Sequence, residues 1–153
     1  MATSKGVQRF IDHTPGLELD IREMSETTHT AQEAADAVGC PVAAIVKSLV
    51  FAVNDEPILV LVSGPNRVNV DAVSTRLGHP VGKADANQVK DVTGYSIGGV
   101  PPFGHLNSVR TYMDEDLLLL DQLWAAAGSA NAVFPISPDR LRELSHAEII
   151  SVH

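Results

Sequence analysis

Apolar positions along the chain fall into short blocks whose spacing switches between helical and extended periods. Ser4 precedes a segment ending near Asp12 and predicts a short N-capped helix. Residues 17–23 alternate apolar and polar side chains, which predicts a strand. Thr30 with Glu33 forms a capping-box pattern, and AQEAADAV then reads as a helix closed by Gly39. Two β-rich runs follow, AAIVKSLVFAV and PILVLVS, joined by Asn54-Asp55-Glu56-Pro57 as a hairpin. Their near-continuous apolarity implies burial on both faces.

Further on, short helices are expected over residues 71–77, ended by Gly78 and Pro80, and 86–92, capped by Asp85 and ended by Gly94. Residues 98–105 fit neither period and read as a loop. Strands are expected over 109–113, 122–127, 132–136 and 148–152, with a helix over 138–144 that carries proline near its first turn. The LLLL segment between the first two of these strands has no clear class. Helices and strands mix without strict alternation, so the expected class is α+β: a mixed sheet, curved or curled into a partial barrel, with flanking short helices.

Composition adds limits. A chain of 153 residues, 44% hydrophobic and 20% charged, suits one globular domain spanning 1–153. No apolar run approaches the roughly 18 residues a membrane span needs, and MATSKGVQRFID lacks the apolar stretch of a secretory signal. The single cysteine, Cys40, cannot form an internal disulfide and reads as a small buried hydrophobe. The expected location is therefore cytoplasmic. The net charge of −8, with eleven scattered Lys and Arg, opposes broad gripping of a nucleic-acid backbone. Recognition of one terminal nucleotide needs only a few donors and stays open.

Three places could carry chemistry. Lys47 shares one strand face with Ile45, Leu49 and Phe51, so a charge sits in an apolar row. It either guards a strand edge or belongs to a site. The loop Gly98-Gly99-Val100-Pro101-Pro102-Phe103-Gly104-His105 joins permissive glycines to stiff prolines. Such a loop can aim backbone N–H groups at a carbonyl oxygen gaining negative charge, or can simply cross the surface. Gly128-Ser129-Ala130-Asn131 reads as a hairpin turn between strands. Dinucleotide, P-loop and nucleophile-elbow patterns are absent, and the six histidines lack metal-ligand spacing, so neither metal nor cofactor is expected.

Taken in order, THTAQEAADAVGCPVAAIVKSLVF, SGPNRVNVDAVSTRLG, ADANQVKDVTGYSIGGVPPFGH and AAGSANAVFPISPDRLREL resemble the YbaK/EbsC family, similar to the editing domain of prolyl-tRNA synthetase. The resemblance implies a trans-editing deacylase that hydrolyses the ester joining a small non-cognate amino acid to the 3′-terminal ribose of a tRNA such as tRNA-Pro. It implies that Lys47 is the active-site lysine, holding the terminal phosphate or orienting the ester. It also implies that Gly98, Gly99, Val100, Pro101 and Pro102 form the glycine–proline loop, with Gly99 and Pro102 the functional choices. Gly128 and Ser129 would stand at the rear of the pocket. The implied partner is the CCA end of aminoacyl-tRNA, and the acidic balance adds the expectation that tRNA body contacts are few or supplied by a synthetase or elongation partner. GSANAVF departs from the histidine-containing motif of alanine-specific relatives, which leaves the amino acid open. With no triad in the chain, the expected nucleophile is a water activated by the substrate's own vicinal hydroxyl. A binding module for an aminoacyl-adenosine-like ligand, without hydrolysis, is the competing expectation.

Overall fold

The computed structural model describes residues 4–24 and 30–153; Thr28 and His29, which begin the segment THTAQE, lie outside the described residues. The helices are α1 (Lys5–His13), α2 (Ala31–Val38), α3 (Val70–Leu77), α4 (Ala86–Thr93) and α5 (Pro138–Ser145). Ser4, Thr30 and Asp85 cap their helices as the chain predicts, and Ser137 and Asn69 are caps that the sequence reading did not name. Ser4, Thr30, Asp85 and Ser137 each accept a hydrogen bond from the backbone three residues on, as does Asn69. Gly39, Gly78 and Gly94 close α2, α3 and α4 in the left-handed conformation.

Eight strands make one mixed sheet: β1 (Arg22–Glu23), β2 (Ile45–Val53), β3 (Glu56–Ser63), β4 (Val81–Lys83), β5 (Arg110–Asp114), β6 (Leu123–Ala126), β7 (Ala132–Ile136) and β8 (Glu148–Ile150). The main path runs β1-β7-β6-β2-β3-β5-β8, with β4 attached to β2. Three pairings are parallel, β2 with β6, β3 with β5 and β5 with β8; the others are antiparallel. The mixed α and β class expected from the chain is the one found.

The central hairpin turns on Asn54 and Asp55 alone, both at positive φ (51° and 65°), so Glu56 and Pro57 already belong to β3. Asn and Asp tolerate that conformation, and a two-residue turn of this kind matches the strand twist. Of the strand expected over residues 17–23, only Arg22 and Glu23 pair, with β7; residues 17–21 have no ladder partner among the described residues. Leu17, Leu19 and Ile21 pack on the core, so the alternation there reports one buried face. The LLLL segment contributes to a 3-10 turn (Glu115–Leu119) begun by Asp114. Strand β4 is too short, and holds a glycine, for any period to announce it.

Alternation along β3 divides the core. Leu59 and Leu61 face Phe10, Val89, Tyr95, Met113 and Phe134, while Ile58, Val60 and Val62 face Phe51, Val73, Tyr112 and Val152. Phe10, Phe103 and Phe134 stack against one another at centroid separations of 5.3–5.8 Å. This packing fixes α1 and the loop after α4 against one side of the sheet.

Candidate functional site

On one side β2 pairs along its whole length with β3. On the other side Ile45 and Val46 pair with β6, and residues 51–53 pair with β4. Among the described residues, 47–50 have no ladder partner on that side. The interruption opens a cleft of about 450 Å³ whose floor is β2 from Ile45 to Phe51. Trp124, Ala126, Ala130, Ala132 and Val133 make one wall. Lys83, Ala84, Val89, Ile97, Gly98 and Val100 make the other, with Thr30, Ala31 and Ala34 at the α2 side. The lining is mainly apolar and of small side chains, with two ammonium groups. No Asp, Glu or His is among the described residues that line it.

Lys47 is half-buried in this cleft, and its Nζ donates to the Asn66 carbonyl at 2.5 Å. Burial lowers its pKa, the Arg67 guanidinium lowers it further, and the Asp114 carboxylate opposes both. Asn66 is itself held. Its side-chain amide donates to Asp114 Oδ2 (2.8 Å) and Asp116 Oδ2 (2.7 Å). Asp114 is fully buried and also accepts from the backbone N–H groups of Ser63 (3.1 Å) and Asp116 (2.9 Å). Asp116 in turn meets His153 Nε2 at 2.9 Å. Its carboxyl is held below the ordinary range by His153 and then Asn66, and the imidazole pKa is raised in return. A lysine in an apolar row is therefore oriented by a main-chain carbonyl fixed by buried carboxylate chemistry. Ser48 Oγ, next along β2, is buried with no hydrogen-bond partner among the described residues.

Gly98 (φ 92°) and Val100 line the cleft with Lys47. Gly99 lies behind them: its N–H donates to the Ser96 carbonyl at 3.0 Å, and a Cβ there would sit 2.8 Å from the Ser129 Cα. Gly128 (φ 102°) completes the junction, since its Cβ would fall 2.2 Å from the Gly6 carbonyl oxygen. Gly6, Gly99 and Gly128–Ser129 thus meet backbone to backbone, a contact only glycines permit. Ser129 Oγ donates to Asn131 Oδ1 at 2.8 Å. The Pro101 carbonyl contacts His105 Nε2 at 2.6 Å, where the Nε2–H tautomer donates. Burial lowers the His105 pKa and favours the neutral ring. Pro102 faces a separate, more open depression of about 840 Å³, shared with His105, Arg110 and His146.

Of the residues singled out from the chain, Lys47, Gly98 and Val100 meet in one cleft. Gly99, Gly128 and Ser129 form the junction behind it, and Pro101 and Pro102 are not among the residues that line it. Sequence reasoning did not find Lys83, Trp124 or the Asn66–Asp114–Asp116 network. Lys83 closes a three-residue strand, and a main-chain carbonyl leaves no signal in residue identity.

Comparison with known proteins agrees with this geometry. The family described as aminoacyl-tRNA editing domain matches residues 25–144. The Bacillus subtilis protein YwhH is 29% identical over 133 residues, spanning 86% of this chain and 85% of its own. The proline–tRNA ligase of Maridesulfovibrio salexigens is 33% identical over 91 residues, 59% of this chain but 16% of that enzyme. A crystal structure described as a candidate trans-editing enzyme for prolyl-tRNA synthetase superposes with a TM-score of 0.91 at 38% identity, covering 99% of this chain and 98% of that one. With the matched segment covering most of the chain and a cleft built around Lys47, the protein belongs to the aminoacyl-tRNA editing domain family.

Proposed function

We propose that the chain acts as one free-standing cytoplasmic editing unit that removes a small non-cognate amino acid from the 3′ end of a tRNA, tRNA-Pro or one similar to it. The supporting observation is the anchored Lys47 ammonium in a cleft that also carries Gly98 and Val100. The small volume and apolar walls suit a short aminoacyl group beside a terminal adenosine. A synthetic site separates amino acids differing by one methylene by only about 1–3 kcal/mol, so a second, hydrolytic site is the physical remedy.

In this reading Lys47 holds the terminal phosphate or steers the ester. The N–H groups of Gly98 and Val100 make no hydrogen bond among the described residues, so they are free to polarise the scissile carbonyl. The Gly99 N–H is already committed to Ser96. No acidic or imidazole side chain lines the described cleft, which favours a water activated by the vicinal ribose hydroxyl of the substrate. Water attacks the ester carbon, the ribose oxygen leaves with a proton, and free amino acid and tRNA result. With a net charge of −8, the body of the tRNA is held by few contacts or by a synthetase or elongation partner.

The test is deacylation of a panel of mischarged tRNAs by the wild type and Lys47→Ala. Hydrolysis of at least one small aminoacyl ester is expected, with a loss of about 100-fold or more in the variant, the size typical when one electrostatic contact to a reacting group is removed. Removing the vicinal hydroxyl from the terminal ribose is expected to abolish turnover nearly completely. Tight binding of the 3′ end without hydrolysis of any ester would instead identify a binding module.

A further inference from the structure

A second ammonium faces the same cleft. Lys83 ends β4, which pairs with β2 so that Lys83 stands opposite Phe51. Directly paired residues project to the same face, and Phe51 shares a face with Lys47 four residues earlier. The two lysines therefore rise from one side of the sheet, separated by about 13 Å of strand at ~3.3 Å per residue. Leu49 lies between them on that face, so an apolar floor is flanked by two cations.

The two are held differently. Lys47 is half-buried and tied to Asn66, whereas the Lys83 side chain is exposed and its ammonium makes no hydrogen bond or ion pair among the described residues. The nearest acidic residue in sequence, Asp85, spends its carboxylate on the N-terminus of α4 by accepting from Gln88. An uncommitted cation at the rim of the cleft, in a protein of net charge −8, meets the needs of an anion arriving with the ligand.

We propose that Lys83 is a binding residue for a backbone phosphodiester of the single-stranded ribonucleotide 3′ end, upstream of the nucleotide that Lys47 serves. This rests on the editing reading above. Lys83 takes no part in cleavage. It sets which way the strand leaves the cleft, past β4 and away from the α2 side.

The experiment compares two substrates carrying the same amino acid, an aminoacyl-tRNA and an aminoacyl-adenosine that has no phosphate. For Lys83→Ala, kcat/KM on the tRNA is expected to fall roughly 5–10-fold relative to the nucleoside, through KM, and Lys83→Arg is expected to restore it. The slope of log(kcat/KM) against log[salt] should shrink by about 0.7 for one lost single-strand phosphate contact. An equal loss on both substrates, or no loss on the tRNA, would overturn the assignment. Should the wild type hydrolyse neither substrate, the editing reading fails by itself. The phosphate contact is then judged by anisotropy of an uncharged CCA-ended oligonucleotide, where Lys83→Ala should weaken binding with the same reduced salt slope; unchanged binding would reject it.

Discussion

Asp114 is the residue on which the lysine site and the stability of the fold both depend. Its side chain is fully buried at the end of β5, and it accepts from the backbone of Ser63, the backbone of Asp116 and the side chain of Asn66. Asp114→Ala strands those donors. The Ser63 N–H has no route to water, because Ser63 is 2% exposed. Breaking a buried charged network from one side costs about 3–5 kcal/mol, less than the sum of three charge-assisted bonds because burial of the carboxylate is relieved at the same time. In a chain of this size each kcal/mol corresponds to about 2–4 °C in Tm, so the expected fall is roughly 6–20 °C by calorimetry. Asp114→Asn keeps the volume but turns an amino group toward donors, and should fall between Asp114→Ala and the wild type. The Asn66 side-chain amide keeps one anchor, Asp116 at 2.7 Å, beside the backbone bond to the Ser63 carbonyl, so its carbonyl is expected to shift and Lys47 to be held less well. Deacylation measured well below Tm should therefore drop in Asp114→Ala. It should stay near wild type in Leu141→Ala, a cavity variant on α5 with a comparable cost of about 2–5 kcal/mol. A Tm loss below about 3 °C, or equal activity in the two variants, would refute the reasoning.

Two further outcomes follow from packing and titration. Gly128→Ala places a Cβ 2.2 Å from the Gly6 carbonyl at a φ of 102°, so α1 and the loop cannot both keep their places. A loss of about 3 kcal/mol or more is expected from chemical denaturation, with Gly16→Ala, where nothing lies within 4 Å, a milder change. Tyr95 donates to the Gly104 carbonyl at 2.9 Å, and burial chiefly pushes its pKa up to about 12. The unfolded phenol, with an ordinary pKa of 10, releases its proton first. Its contribution to stability is therefore full below pH 10 and is lost as pH rises from 10 towards about 12. Denaturant midpoints followed across that range should show the decline in wild type and a shallower one in Tyr95→Phe.

Local chemistry was legible in the chain; long-range assembly was not. The caps at Ser4, Thr30 and Asp85 rest on contacts three residues long, so residue type alone announces them. Lys47 was conspicuous because an ammonium interrupts an apolar row. The cleft that gives it meaning depends on β6 and β4 dividing one side of β2 between them. Ile45 meets Trp124 across a parallel pairing that no local pattern encodes. The glycine loop was found as a loop, but which of its N–H groups stays free depends on Ser96 and on the approach of Gly128. Residues 17–23 show the complementary case: the alternation predicts a strand, yet only Arg22 and Glu23 pair, and the apolar positions Leu17, Leu19 and Ile21 serve the core without a ladder.

The interruption in β2 also bears on solubility. An unpaired stretch of strand is normally a template for another chain, and long open edges invite aggregation. Here the stretch covers four residues, recessed between two strands of the same sheet, and it carries Lys47 while Lys83 guards the neighbouring rim. A foreign sheet cannot slide into a slot closed at both ends, whereas a single flexible chain end can enter it. The outer limits of the sheet are just as guarded, with two residues in β1 and three in β8. The fold thus leaves main chain open inside a cleft while keeping the strands that end the sheet path to two or three residues.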